Sequence, residues 1–254
     1  KSMHKIHFEL QKKYGDIVKL SMPSGDQVYC YHPEDSRTIL EDDGNMPFKI
    51  NIGLIEYYRK CKRKDLFPHP GLFSNNEEWL DFRMKVNPDL MRKKCMNPYL
   101  NDMEMIANDL IDVFEREKDE ENKICIVTPG GCLHRWALES VGFIFLGSRL
   151  GTLNENVGHK SDGMELIKHV DASFKELTKL VLLPPIWKYI NVPYYNRYNE
   201  AIEGAVKIGI KYIDAALKSN SGDHIILSKL AEKFNHDKAL VNVMALEALS
   251  AGCL

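Results

Sequence analysis

Two side chains of the sequence, Trp79 and Arg83, have the types and the spacing needed to bind an anion. They are four residues apart, so a helix would carry both on one face. The indole N–H and the guanidinium N–H groups only donate hydrogen bonds, which suits a planar ligand with carboxylates. The same spacing also predicts an aromatic ring packed over an arginine stem. On spacing alone this cation–π contact is the more common outcome.

A helix that begins at Asn76 would position this pair. Asn is a favourable N-cap, and Glu77 and Glu78 complement the positive end of the helix dipole in the first turn. The dipeptide Asn87-Pro88 should stop the helix, because the residue before a proline avoids the α conformation. The sequence therefore predicts a helix over residues 76–86 with Trp79 and Arg83 side by side.

Helical periodicity dominates the rest of the chain. Two β-type runs, Ile17–Met22 and Gln27–His32, are separated by the turn residues Pro23-Ser24-Gly25-Asp26 and predict an antiparallel hairpin. Residues 45–76 are rich in proline and predict loops. The other predicted helices cover residues 4–14, 33–40, 101–118, 133–146, 163–181, 196–218 and 236–254. The fold class is therefore mainly α with a small N-terminal antiparallel β-sheet.

The composition is that of an ordinary globular protein. Of 254 residues, 44% are hydrophobic and 28% are charged, and the net charge is −2. Without a basic excess, the chain is not expected to bind nucleic acid. The six cysteines are scattered, with no C-x-x-C pair and no zinc spacing, which favours reduced thiols over a metal site or a disulfide framework.

The residues around Trp79 and Arg83 resemble a known family. The stretch GLFSNNEEWLDFR, residues 71–83, is similar to the start of helix C in the cytochrome P-450 family. In that family the Trp and Arg of W-x-x-x-R hydrogen-bond a haem propionate. The resemblance implies this cofactor-binding role for Trp79 and Arg83, and it implies haem b as the cofactor of the complete protein.

The resemblance extends over essentially the whole chain. YGDIV, residues 14–18, is similar to the lead into the family's first sheet, and DGNMPFK, residues 43–49, resembles the E-G-x-x-P-x-R motif of the mitochondrial clan. Residues 135–142 and 146–151 resemble that clan's helix E and the turn after it. The resemblance implies that residues 1–254 form a single incomplete haem-monooxygenase domain, the N-terminal part of a cytochrome P-450 fold from about helix A to helix I.

Ala251 and Gly252 resemble the start of the A-G-x-D-T motif on the central helix I. In the family this segment lies over the oxygen side of the haem, so the resemblance implies a catalytic position for Ala251 and Gly252. The motif is incomplete, since Leu254 stands where the acid is expected. The alternative interpretation is two small residues near a helix end.

The family's haem ligand is not found in the sequence. The expected Phe-x-x-Gly-x-x-x-Cys-x-Gly loop, which supplies the axial Cys, does not occur in these residues, and the resemblance implies that helix K with its Glu-x-x-Arg lies beyond Leu254. Haem-thiolate chemistry needs that Cys. We therefore expect no axial metal ligand in this chain, no haem bound to the fragment in the catalytic mode, and no activity by itself.

For the complete protein the resemblance implies a haem-thiolate monooxygenase. It would insert one atom of O2 into a small apolar substrate, such as a steroid or a xenobiotic, with electrons from an adrenodoxin-type ferredoxin. Parts of residues 60–75, 165–205 and 240–252 would face the substrate. The implied location is the matrix side of the mitochondrial inner membrane.

Three surface segments bear on partners. Residues 59–64, Arg-Lys-Cys-Lys-Arg-Lys, predict either a solvated loop or attraction to an anionic membrane. The loop of residues 182–189 mixes apolar and aromatic residues, which fits either peripheral membrane contact or packing on its own domain. Arg92-Lys93-Lys94 could steer an acidic ferredoxin.

A second hypothesis comes from another functional class. A truncated helical protein without a haem ligand would be non-catalytic and would act, if at all, as a binding or interaction module. The haem spectrum of the purified chain separates the two hypotheses, because only a parent enzyme gives a thiolate-ligated haem once the missing part is restored.

Overall fold

Helices make up most of the protein in the computed structural model, and a hairpin lies near the N-terminus. The structure describes residues 3–22, 25–49, 53–69, 71–75, 77–91, 95, 97–116, 131–154, 161–181, 183–219 and 226–253. The fold class predicted from the sequence is confirmed. The predicted N-cap Asn76, the turn residues Pro23 and Ser24, and the basic segment 92–94 lie outside the described residues.

The elements follow the predicted order with additions. The helices are α1 (Met3–Tyr14), α2 (Pro33–Asp42), α3 (Gly53–Tyr57), α4 (Glu77–Leu90), α5 (Leu100–Arg116), α6 (Cys132–Leu146), α7 (Asp162–Val181), α8 (Pro193–Ser219), α9 (Ile226–Lys233) and α10 (Lys238–Gly252). A π-helical turn, Tyr58–Lys62, follows α3 directly, and short 3-10 turns occur at Asn97–Tyr99 and Ile186–Lys188.

The hairpin pairs β1 (Ile17–Met22) with β2 (Gly25–Cys30) in antiparallel register, from Ile17 opposite Cys30 to Met22 opposite Gly25. The second strand thus begins two residues earlier than predicted and ends at Cys30. Gly25, the first residue of β2, has a φ of +121°, a conformation that glycine adopts without strain.

Two predictions of local structure are wrong, and one helix was missed. Residues 53–62, predicted as loop, are helical, because Leu54 and Tyr58 lie one turn apart and are both buried. Helix α4 continues to Leu90 with Pro88 inside its last turn. There a proline removes only one hydrogen bond, and the Met91 N–H still donates to the Asn87 carbonyl at 2.9 Å. Helix α9 was not predicted.

The core centres on α10, which packs against α6, α8 and α9. Residues 241–249 of this helix are buried at every position. The Asp237 side chain caps the helix by accepting from the Ala239 N–H at 2.9 Å. At its other end, Gly252 lies so close to α6 that a Cβ built on it would be 2.9 Å from the Cβ of Val141.

This close approach predicts a stability effect. We expect Gly252→Ala to lower the free energy of unfolding by about 1–3 kcal/mol, because the added methyl group overpacks the contact between α10 and Val141. Gly53→Ala is the matched control, since a Cβ there meets nothing within 4 Å, and it should be neutral or stabilising by about 0.4–1 kcal/mol. Urea unfolding followed by circular dichroism measures both. Equal stability of the two variants would show that α10 does not need a glycine there.

Candidate functional site

Helix α4 places Trp79 and Arg83 together, as their spacing predicts. Trp79 is buried, with 3% of its surface exposed, whereas Arg83 is exposed. The guanidinium carbon of Arg83 lies 5.3 Å from the centre of the Trp79 ring, which is a cation–π contact. The contact holds the guanidinium beside the indole while its N–H groups stay accessible to a ligand. Both interpretations of the pair are therefore compatible with this geometry.

Lys49 joins this pair from a distant part of the sequence. Its Nζ lies 3.4 Å from the centre of the Trp79 ring. The side-chain amide of Asn75 fixes the Lys49 backbone, since it accepts from the Lys49 N–H and donates to the Lys49 carbonyl, both at 2.8 Å. No role was predicted for Lys49, which stands at the end of the motif DGNMPFK. The motif E-G-x-x-P-x-R also has a basic residue at this position, and this feature of the sequence could have indicated a role for Lys49.

The Lys49 ammonium group is buried and finds no hydrogen-bond partner among the described residues. Burial lowers the pKa of Lys49, the positive charge of Arg83 lowers it further, and Glu247 opposes the shift. A buried ammonium group that forms no hydrogen bond and is repelled by a second cation is costly, and an anionic oxygen bound to it would offset that cost. The donor set of Lys49, Arg83 and Trp79 therefore fits a carboxylate such as a haem propionate. We call these three residues the cationic cluster.

A buried ion pair lies behind the cationic cluster. Arg59 Nη1 donates to Glu247 Oε1 at 2.5 Å, and the Leu72 N–H donates to the two Glu247 oxygens at 3.1 and 3.0 Å. The two charged side chains are only 8% and 3% exposed. Burial raises the pKa of Glu247, and the Arg59 guanidinium opposes this shift. Through Glu247, α10 is thus tied both to the π-helical turn that carries Arg59 and, by the Leu72 N–H, to the segment that leads into α4.

Gly71 lets this contact form. Its φ is +66°, and a Cβ built there would lie 2.8 Å from Arg59 Nη1. The segment can therefore pass directly over the ion pair only without a side chain at this position.

The prediction of a solvated loop at residues 59–64 is wrong at two positions. Arg59 is buried in the π-helical turn, and Arg63 Nη1 donates to Glu203 Oε2 of α8 at 2.5 Å. The reason is mainly non-local: the acid that holds Arg59 comes from α10, and Arg63 binds Glu203 of α8 in addition to the nearby Asp65. Lys60 in the same run keeps only an exposed pair with Glu56.

A cavity of about 710 Å³, including the part open to solvent, lies beside the ion pair. Its walls come from three separated stretches of the chain, which fall within the predicted substrate-facing segments 60–75, 165–205 and 240–252 or at their edges. The lining includes Phe67, Phe73, Leu166, Phe174, Tyr198, Ile202, Leu246 and Ser250. The apolar lining is typical of a small-molecule site.

Ala251 and Gly252 lie at the C-terminal end of α10. Ala251 is exposed, and Gly252 is buried against Ala137 and Val141 of α6. Close helix packing is thus one reason for a glycine at 252, and the oxygen-side role of both residues stays a prediction. Leu254 lies outside the described residues.

The described residues contain neither a metal-binding cluster nor a membrane-spanning helix. No three or more His, Cys, Asp or Glu side chains there are grouped so that they could hold a metal ion. In the same part of the chain, no helix combines the length and the apolar character needed to cross a bilayer.

Comparison with known proteins agrees with the resemblance. The chain is 27% identical over 249 residues to "Probable cytochrome P450 12b2, mitochondrial" of Drosophila melanogaster. The match covers 96% of this chain and 46% of the relative. It is 28% identical to "Cytochrome P450 CYP12A2" of Musca domestica, with 95% of this chain and 47% of the relative covered. The chain spans about half the length of the curated relatives it matches. A sequence model of the family Cytochrome P450 matches residues 1–250, and the chain therefore belongs to the cytochrome P450 family.

Proposed function

We propose that this chain is the N-terminal part of a haem-thiolate monooxygenase that inserts one atom of O2 into a small apolar substrate. The observation that carries the proposal is the cationic cluster, which sits at the family's W-x-x-x-R position and offers two cations and an indole to one anionic group. Haem b, when bound, would supply the iron at which oxygen is activated.

Within this proposal the residues of the chain have distinct tasks. Lys49 and Arg83 would each place a positive charge against a propionate, and Trp79 would support both cations with its ring. The cavity beside Arg59 and Glu247 would hold the substrate and exclude water from it. Ala251 and Gly252 would line the oxygen side, where small residues leave room.

Partners and location follow from the relatives. Several relatives carry the word mitochondrial in their names, and on that basis we propose a mitochondrial protein on the matrix side of the inner membrane that receives electrons from an adrenodoxin-type ferredoxin. Exposed Leu183, Ile186 and Ile190 support peripheral membrane contact by the loop after α7. In the same loop Trp187 is buried and stacks on Tyr195, so part of it packs on its own domain.

The test is to read the source transcript through the codon for Leu254 and to express the longest product. We expect the frame to continue into an acid-Thr pair, a Glu-x-x-Arg and a Cys loop, and the longer product to give the reduced carbon-monoxide spectrum of a thiolate-ligated haem. The 254-residue chain is the control and should not give it. A stop codon directly after Leu254, or a longer product that takes up no haem, would refute the proposal.

A further inference from the structure

The hydroxyl group of Tyr198 on α8 is buried without a partner. The residue is 1% exposed, and no described residue forms a hydrogen bond with its hydroxyl oxygen. The ring is fixed by an edge-on contact with Tyr58, at 6.5 Å between ring centres. A buried hydroxyl in this state costs about 1–3 kcal/mol unless something binds it. A ligand that accepts a hydrogen bond from the hydroxyl would remove this cost.

Tyr198 lines the cavity, where the other polar groups are engaged. The Tyr58 hydroxyl donates to Glu203 Oε1 at 2.7 Å, and the hydroxyls of Ser173 and Ser250 donate to backbone carbonyls at 2.7 and 2.8 Å. Arg59 and Glu247 are held by each other. Among the described residues that line this cavity, Tyr198 is therefore the one whose side-chain polar group can still bind a ligand.

The chemistry of the Tyr198 hydroxyl and of the cavity walls determines which class of ligand fits. Burial raises the pKa of Tyr198, so the hydroxyl stays protonated at neutral pH and can donate a hydrogen bond. The walls around it are aromatic and aliphatic, with Phe67, Phe73 and Leu246 among them. A molecule that fills this space needs an apolar body, and it gains from an oxygen acceptor placed at the tyrosine.

We propose that the cavity selects apolar molecules that carry a carbonyl or similar oxygen acceptor, and that the Tyr198 hydroxyl donates the hydrogen bond that orients them. That such a molecule is the substrate rests on the proposed monooxygenase function. The binding preference itself does not, because the residues that produce it belong to the described part of this chain.

The test uses two probes of nearly equal shape, the ketone 1-tetralone and the hydrocarbon tetralin, titrated into the chain without haem and followed by ligand-observed NMR. We expect Tyr198→Phe to weaken 1-tetralone binding about fivefold, the effect of one neutral hydrogen bond, and to leave tetralin binding within about twofold. Tyr195→Phe is the matched control. It removes a tyrosine hydroxyl one turn away on the same helix, where the ring stacks on Trp187, and it should leave both affinities within about twofold.

Three results would overturn the proposal. Equal weakening of both probes by Tyr198→Phe would make the hydroxyl merely structural, and unchanged affinity for the ketone would remove its role in binding. A wild-type chain that binds neither probe would overturn the site itself. Because the titration contains no haem, these failures leave the haem proposal standing, and a failed haem experiment leaves the binding preference standing.

Discussion

Replacing Glu247 by Leu will lower the free energy of unfolding by about 3–5 kcal/mol. The substitution leaves the Arg59 guanidinium buried without its counter-charge, and it removes the acceptor of the Leu72 N–H. A lone buried cation costs more than the ion pair contributed, since desolvation is no longer offset. Chemical unfolding of the purified chain in urea measures the change.

Two further variants make this result specific. Glu56→Gln breaks the exposed pair with Lys60 and should cost no more than about 0.5 kcal/mol. The double variant Arg59→Met/Glu247→Leu removes both charges and should recover part of the lost stability, though not the part due to the Leu72 N–H. If the single and the double variant are equally unstable, the loss comes from packing and not from the buried charge.

Lys49→Met or Arg83→Leu will each weaken the binding of a porphyrin with free propionates at least about tenfold, which is the contribution of one charge-assisted hydrogen bond. The probes are protoporphyrin and its dimethyl ester, which share the ring and differ in the anionic groups. The wild-type chain should prefer the free acid, and each variant should lose most of that preference. Fluorescence titration measures the affinities of the three proteins for both porphyrins.

A second lysine on α4 provides the control. Lys85 already pairs with Asp81 at 2.7 Å, so Lys85→Met should leave the preference for the free acid within about twofold. Raising the ionic strength should reduce the preference in the wild-type chain, because salt screens the attraction between charges. A wild-type chain that binds the acid and the ester equally well would show that the cationic cluster does not recognise carboxylates.

Features that depend on neighbours in sequence could be predicted. Trp79 and Arg83 share a helical face by their spacing, and helices such as α5 and α7 follow from apolar residues at helical intervals. The family resemblance implied what Trp79 and Arg83 bind, which is a haem propionate. The domain extent and the roles of Ala251 and Gly252 stay predictions, since no observation tests them.

Features that depend on distant residues could not be predicted. Arg59 and Glu247 are 188 residues apart, and nothing in the basic run around Arg59 indicates a buried acid on another helix. Lys49 reaches Trp79 because an amide 26 residues away holds its backbone. The partnerless hydroxyl of Tyr198 is equally invisible in the sequence, since it depends on which side chains surround it.

The close packing around Gly71 predicts which residues homologues can have at this position, and homologous sequences can test the prediction. Its left-handed conformation and the Arg59 guanidinium under it leave no space for a methyl group. A homologue that keeps both the arginine and the glutamate should therefore keep the glycine. One that has lost the pair is released from the steric part of that constraint only if the side chain at position 243 is smaller too, since Val243 Cγ1 would lie 2.6 Å from the added Cβ. These three positions should covary as a unit across an alignment, independently of which substrate each homologue accepts.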